Sequence, residues 1–207
     1  MMNSPINTFP IPPGLTLETD KVILRPLREP DAEDFLELAQ DQDTWTYFSL
    51  NLSTRPQLDH WMSLAFSDKE ANTRRPFTIV EKATGRIAGS TSMGNISLLD
   101  LRLEIGWSWL GGNFKGSGLN RHAKFAIMQY AFEVLGFERV EFKTDVLNFR
   151  ARQGLRKVGG QEEGVLRSHM TMRNNRRRDS IFYSVIKNEW PNLRQTIFKD
   201  IETYEAR

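Results

Sequence analysis

The segment LRLEIGWSWLGGNFKGSGLN, residues 101–120, gathers the groups in this chain best suited to chemistry. Its first half alternates, with Leu101, Leu103, Ile105, Trp107 and Trp109 to one side and Arg102, Glu104, Gly106 and Ser108 to the other, the period of a half-buried strand. Its second half carries Gly111, Gly112, Gly116 and Gly118 and then enters a helical pattern, in which Ala123, Ile127, Tyr130, Ala131 and Val134 recur at three- and four-residue steps. A strand, a glycine loop and a helix start bring free backbone N–H groups and the positive end of a helix dipole to one place, a setting that suits a phosphate. The spacing is neither that of a Walker phosphate loop nor that of a Gly-x-Gly-x-x-Gly dinucleotide fingerprint.

Composition narrows the chemistry further. The 207 residues, 39% of them hydrophobic and including 13 Phe and 5 Trp, are enough for one domain with a real core. A formal charge of +2 gives no whole-protein electrostatic case for nucleic acid. The absence of cysteine excludes disulfides, thiolate metal sites and a cysteine acyl-enzyme, and fits a reducing compartment. No His/Asp/Glu cluster has metal-ligand spacing, so no metal is expected. No apolar run approaches a membrane span and the first residues lack a signal-peptide pattern, which together lead us to expect a cytoplasmic protein.

Several elements must position that central segment. Residues 1–16, with Pro5, Pro10, Pro12 and Pro13, read as an extended arm without a packing stripe. KVILRPL reads as a strand, followed by a helix near Pro30 with Phe35, Leu36, Leu38 and Ala39 on one side. Thr54 and Gln57 have capping-box spacing before a second helix bearing Leu58, Trp61, Met62, Ala65 and Phe66. A hairpin over residues 76–96 precedes the central strand, whose helix stops near Gly136. Val140, Phe142 and Thr144 mark the next strand, Asn148 caps a short helix, and a last hairpin surrounds RNNRRRD. Leu193, Ile197, Phe198 and Ile201 mark a C-terminal helix within residues 191–207 that either covers the sheet or joins two subunits. The order predicts an α/β (α+β) fold: a mixed, mostly antiparallel, seven-stranded sheet with one strand–helix–strand crossover that must be parallel.

EIGWSWL, KGSGLN, YAFEVLGFERVEFKTDVLN, EEGVLRSHM and RRRDSIFYSVIKNEWP, in this order, closely resemble the GNAT N-acetyltransferase family in its RimJ/RimL-like branch. The resemblance assigns residues 17–190 to an acetyltransferase domain whose sheet splays at the parallel pair to admit coenzyme A. It implies acetyl-CoA as donor and a primary amine as acceptor, either a protein N-terminus or a small molecule. In the family a loop patterned Gln/Arg-x-x-Gly-x-Gly/Ala holds the pyrophosphate. The match here is Lys115-Gly116-Ser117-Gly118-Leu119-Asn120, with amides from Ser117 to Arg121 as donors. Lys115 keeps a positive charge in place of Gln/Arg, and Asn120 replaces the small last residue. Arg121 and Lys124 either reach coenzyme phosphates or face solvent on the helix.

The resemblance also implies roles in catalysis. Backbone groups near Trp109 and Leu110 would pair with the pantetheine arm, and an N–H there would polarise the thioester carbonyl, where charge develops in the transition state. Asn148 matches an asparagine that contacts pantetheine, and it can equally be a plain N-cap. Glu104, beside the expected thioester, is the first candidate base, with an ion pair to Arg102, Arg139 or Lys143 as the alternative. His169 is the second candidate, since histidine titrates in the right range, or else a hydrogen-bonded strand residue. Trp45, Tyr47, Phe48 and Trp61 either line an acceptor pocket or fill the core. Where relatives carry Ser or Tyr to protonate the leaving thiolate, this chain has Ala151 and Leu155, leaving Tyr183 and Ser184 as substitutes. Without cysteine, direct transfer in a ternary complex is expected. Two other readings stay open: a coenzyme-A-binding module without catalysis, and a ribosome- or RNA-associated protein using Arg173, Arg176, Arg177 and Arg178.

Overall fold

A computed structural model of the protein describes residues 10–202. One sheet of eight strands runs in the order β1-β2-β3-β4-β5-β6-β8-β7. The strands are β1 (Leu17–Glu18), β2 (Val22–Pro26), β3 (Arg74–Glu81), β4 (Ile87–Ser97), β5 (Arg102–Leu110), β6 (Arg139–Asp145), β7 (Gln161–Thr171) and β8 (Arg177–Ile186). The strand beyond the expected seven is β1, whose two residues pair with Leu24 and Ile23 and are too few to show a period in sequence. The helices are α1 (Asp31–Leu38), α2 (Arg55–Glu70), α3 (Leu119–Gln129), α4 (Phe149–Lys157) and α5 (Trp190–Thr196), and a π turn over Tyr130–Val134 extends α3.

The crossover through α3 makes β5 and β6 parallel, as connection rules require. Their pairing covers Arg102↔Arg139, Leu103↔Val140 and Glu104↔Glu141 and then stops. A bulge accompanies the parting. Between the pairs Ser92↔Gly106 and Ser90↔Trp109, β5 carries one residue more than β4, and Trp107 adopts φ 52°. Such an insertion bends the bulged strand and adds twist. It also breaks the strict alternation that the sequence predicts. Leu103 and Ile105 enter the core beneath α3, whereas Trp109 enters the cluster beneath α1 and α2. The Trp107 ring lies over Gly94, where a Cβ would sit 2.3 Å from it.

Two cores flank the sheet. The larger joins α3, Leu155 and Val158 of the α4 region, and the chain ends: Ile11, Leu15, Trp190, Leu193, Phe198 and Ile201 are all part of it. Part of the segment read as an arm is therefore buried, while residues 1–9 lie outside the described region. The C-terminal helix begins earlier than expected, at Trp190 with Pro191 in its first turn, and Phe198 and Ile201 follow it as a packed extension. The smaller core holds Leu27, Phe35, Trp45, Leu58, Trp61 and Trp109 under α1 and α2. On that side the sheet carries polar residues over β6 and β8, and β7 is exposed along nearly its whole length.

Asp31 fixes α1 to the sheet and so aims the α1–α2 loop. Its carboxylate takes both Arg25 guanidinium nitrogens from β2 at 2.8 and 2.7 Å, Thr78 Oγ1 from β3 and the Arg28 N–H. Burial opposes its ionisation, but these hydrogen bonds and the Arg25 charge outweigh that and hold the carboxyl below its usual range. The contribution is therefore full above about pH 4 and is lost as pH falls through the depressed folded value. Asp31→Ala should lower unfolding free energy by about 3 kcal/mol, because it strands the half-buried Arg25 guanidinium and the buried Thr78 hydroxyl. Urea titration at neutral pH measures this, and the gap to wild type should narrow in acid.

Candidate functional site

Beyond β5 the chain passes beneath the α1–α2 loop. A Cβ on Gly111 would lie 2.5 Å from Leu38, and one on Gly112 would lie 3.1 Å from Asp41. The Asp41 carboxylate receives Lys115 Nζ at 2.6 Å, so the lysine pins this segment to the α1–α2 loop. Gly116 and Gly118 then take φ values of 83° and 90°, and a Cβ on either would meet nothing within 4 Å. The N–H groups of Gly116, Gly118 and Asn120 have no partner among the described residues. Those of Ser117 and Leu119 make only 3.4 Å contacts, to Phe114 O and Ser117 Oγ. Outward main-chain donors at a helix start, with open space where side chains would stand, fit a diphosphate.

Arg121 departs from this cradle. Its N–H donates to Gly118 O at 2.9 Å, and its guanidinium donates to Asp200 and to Ile197 O beyond α5. The residue ties the C-terminal extension to α3. Lys124 is buried and donates to Asn120 Oδ1 at 2.6 Å, and burial pushes its amine down to about 8.

Past Glu104, the β6-facing edge of Ile105–Leu110 makes no strand pair. The fork between β5 and β6 is thus lined by free main-chain groups on β5. Trp109 is buried against Phe35, Trp45 and Trp61, and its indole Nε1 has no partner. Leu110 is half-buried opposite Gly89. Across the fork, Asn148 caps α4 by accepting from Ala151 N–H at 3.0 Å, which leaves its Nδ2 without a partner among the described residues.

Glu104 stands where the strands part, 4% exposed. Its Oε2 accepts from Lys143 Nζ at 2.8 Å and from Asn95 Nδ2 at 2.7 Å. Of the three ion-pair partners considered from sequence, Lys143 is the one present. His169 lies on the exposed edge strand, with Nδ1 3.0 Å from Ser180 Oγ and its ring edge-on to Phe182. Burial, with the positive charges of Lys143 and Arg178, pushes its pKa below the usual histidine value against the pull of Glu104. Arg178 is lowered by burial too, against the pull of Asp145 and Glu104. Arg176 pairs with Asp145, and Arg173 reaches across to Trp45 O at 2.9 Å, joining the β7–β8 loop to the α1–α2 loop. Between these loops lies a cavity of about 220 Å³ lined by Thr46, Phe48, Met172, Arg173 and Arg176.

The structure thus separates the aromatic candidates. Trp45 and Trp61 fill the smaller core, Phe48 lines the cavity, and Tyr47 is half-exposed. Tyr183 donates to Glu162 and Ser184 to Glu163, so both proposed acids are engaged away from the fork. Ala151 offers only its N–H, to Asn148, and Leu155 is core. Sequence reasoning missed Asn95 and the separate burial of Arg178. Asn95 adopts φ 48°, a region asparagine tolerates, and its place after a glycine was the available signal. Arg178 was hidden in a run of arginines that reads as solvated.

The Acetyltransferase (GNAT) domain profile matches residues 21–161. The Bacillus subtilis (strain 168) protein named Putative ribosomal N-acetyltransferase YdaF is 26% identical over 170 residues, spanning 75% of this chain and 92% of that protein. A GCN5-related N-acetyltransferase from Brucella melitensis superposes with a TM-score of 0.83 at 26% identity, covering 93% of this chain and 89% of that one. Mycobacterium smegmatis RimJ, solved in complex with CoA-disulfide, superposes with a TM-score of 0.75 at 21% identity, over 92% and 97% of the two chains, and shows a shared fold. Among the described residues no His/Cys/Asp/Glu group could hold a metal, and no helix is long and apolar enough to cross a membrane.

The fork's electrostatics can be tested without any ligand. Lys143→Met should cost about 3 kcal/mol, because Glu104 would stay buried without its counter-charge. Adding Glu104→Gln should recover part of that loss in a double-mutant cycle read by denaturant unfolding. Simple additivity would mean that the two side chains do not act on each other.

Proposed function

The chain belongs to the GNAT acetyltransferase family and is an acetyl-CoA-dependent acyltransferase; we propose that it transfers the acetyl group directly to a primary amine held over the polar face of β6 and β8, with both substrates bound together. The observation that carries this reading is the set of unused main-chain groups: three free N–H groups at Gly116, Gly118 and Asn120, and an unpaired β5 edge leading from them to Glu104. The CoA-disulfide held by M. smegmatis RimJ supports it by analogy of fold.

The amides of Gly116, Ser117, Gly118, Leu119 and Asn120 would hold the pyrophosphate, with Lys115 stiffening the loop through Asp41. The Ile105–Leu110 edge would pair with pantetheine as an added strand pairs with a sheet, helped by Asn148 Nδ2. When bound, the coenzyme supplies an activated acetyl thioester. A β5 N–H near Trp109 or Leu110 would stabilise charge growing on the acetyl oxygen.

The acceptor must lose a proton, since a lysine amine has a pKa of about 10.4 and an α-amine about 8. Glu104 is committed through Oε2 to Lys143 and Asn95, so that oxygen already holds two donors. His169 is neutral at pH 7, and with Nδ1 on Ser180 its Nε2 is free to take that proton. Glu104 then acts by holding Lys143 beside the reacting groups. A leaving thiolate with a pKa of about 8.5 needs little acid help, which suits Ala151 and Leu155 at the positions where relatives carry acids. A protein N-terminus and a small amine both suit the cavity between the two loops. The RNA reading loses ground because Arg173, Arg176 and Arg177 donate within the chain to Trp45 O, Asp145 and Thr171.

Incubation with acetyl-CoA and a panel of amines should release free thiol. Tight coenzyme binding with no thiol from any amine would favour a binding module instead. Gly118→Val should weaken coenzyme A by roughly 30-fold in calorimetry, about 2 kcal/mol for disturbed charge-assisted amide bonds. Unchanged affinity would put the phosphates elsewhere. kcat/KM should rise with pH through an acid limb lying below the usual histidine value, and His169→Gln should abolish that limb. An unaltered profile would remove His169 as the base.

A further inference from the structure

Among the described residues, four buried side-chain atoms lack a hydrogen-bond partner: Asp20 Oδ1, Arg74 Nη2, Trp109 Nε1 and Arg178 Nε. Three of the four are donors, and all three stand on the α1–α2 side of the sheet. Buried donors are normally satisfied, so three together on one face are unusual. None of the three has an acceptor atom among the described residues.

Arg178 is the one that bears on the amine acceptor. It is 8% exposed, and it feels the charges of Asp145, Glu104 and Arg176. Neither carboxylate is free to neutralise it. Asp145 is paired with Arg176, and Glu104 is paired with Lys143. Three cations, Lys143, Arg176 and Arg178, therefore share two carboxylates, and Arg173 adds a fourth positive group in the cavity wall beside Arg176. A buried guanidinium without its own counter-charge is costly unless something else supplies one. Arg176, two residues earlier along the same extended stretch, lines the cavity together with Phe48 and Met172. Arg74 differs, since Asp68 and Ser92 take its other nitrogens and the Trp61 and Trp107 rings enclose it.

Resting on the acetyl-transfer reading above, we propose that the acceptor is a primary amine that also bears a carboxylate, and that Arg178, backed by Arg176, binds that carboxylate while Phe48 and Met172 contact the apolar part of the molecule. Arg178 is thus a substrate-binding residue. The carboxylate could belong to a free amino acid or to an acidic residue at a peptide N-terminus. Both present the same oxygen pair to a guanidinium, which binds it in a fork geometry.

The test uses matched acceptors with the full chain and saturating acetyl-CoA: free amino acids against their carboxamides, and peptides starting with Asp or Glu against those starting with Asn or Gln. The wild-type protein should prefer the carboxylate member of one series by about tenfold or more in kcat/KM, through KM, and the responding series identifies the source. Arg178→Gln should bring that ratio close to one. Equal use of both members by the wild-type protein, or a ratio unchanged by Arg178→Gln, would overturn the proposal. A second readout needs no turnover. With coenzyme A present, the carboxylate member should raise the melting temperature of the wild-type protein more than its carboxamide does, and Arg178→Gln should erase that difference. Lack of thiol release from every amine would count against acetyl transfer alone, because this carboxylate-dependent shift would still decide the role of Arg178.

Discussion

Main-chain pairing between β5 and β6 ends at Glu104, and the hydrogen-bonding groups left on β5 need partners from elsewhere. That constraint shapes the rest of the molecule. Parallel strands joined through a helix would ordinarily run side by side, buried and fully paired. Here the bulge at Trp107 interrupts the β4–β5 register, the larger core spans both halves of the sheet on one face, and the smaller core holds Trp109 under α1 and α2 on the other. The fork is held open by packing around it, so it exists before any ligand arrives. Preorganised main-chain donors of this kind do not have to be reoriented when charge develops.

The charged groups around the fork follow from the same geometry. Glu104 lies at its closed end, where low exposure would make a lone carboxylate costly, and Lys143 and Asn95 meet it there. Asp145 is met by Arg176 in the same way. Both carboxylates are thus matched, while the nearby Arg178 pairs with neither. The α1–α2 loop, fixed through Asp31, and the β7–β8 loop meet through Arg173 and Trp45 beside the cavity that they line.

Much of this could be read from residue order. The glycine spacing marked the loop before α3 because positive φ values favour residues without a Cβ, and Gly116 and Gly118 take φ 83° and 90° with open space where a Cβ would stand. The single parallel crossover followed from connection rules, and the strand count differed only by the two-residue β1. What sequence could not show were the consequences of three-dimensional neighbours. The period-2 pattern of β5 contains no sign of the bulge that sends Trp109 to the opposite core from Ile105. Arg121 looked like a phosphate ligand because of its place in the chain, yet the C-terminal extension brings Asp200 to it from 79 residues away. Pairing partners of Glu104 were narrowed to three, and only the fold selects Lys143.

Hydrogen–deuterium exchange with and without coenzyme A tests the central claim most directly. Free amides at the α3 start and along the open edge of β5 should exchange quickly in the protein alone. Saturating coenzyme should slow exchange at residues 116–120 and 105–110 together. Protection confined to other segments, or none at a concentration where calorimetry shows the coenzyme bound, would contradict the account.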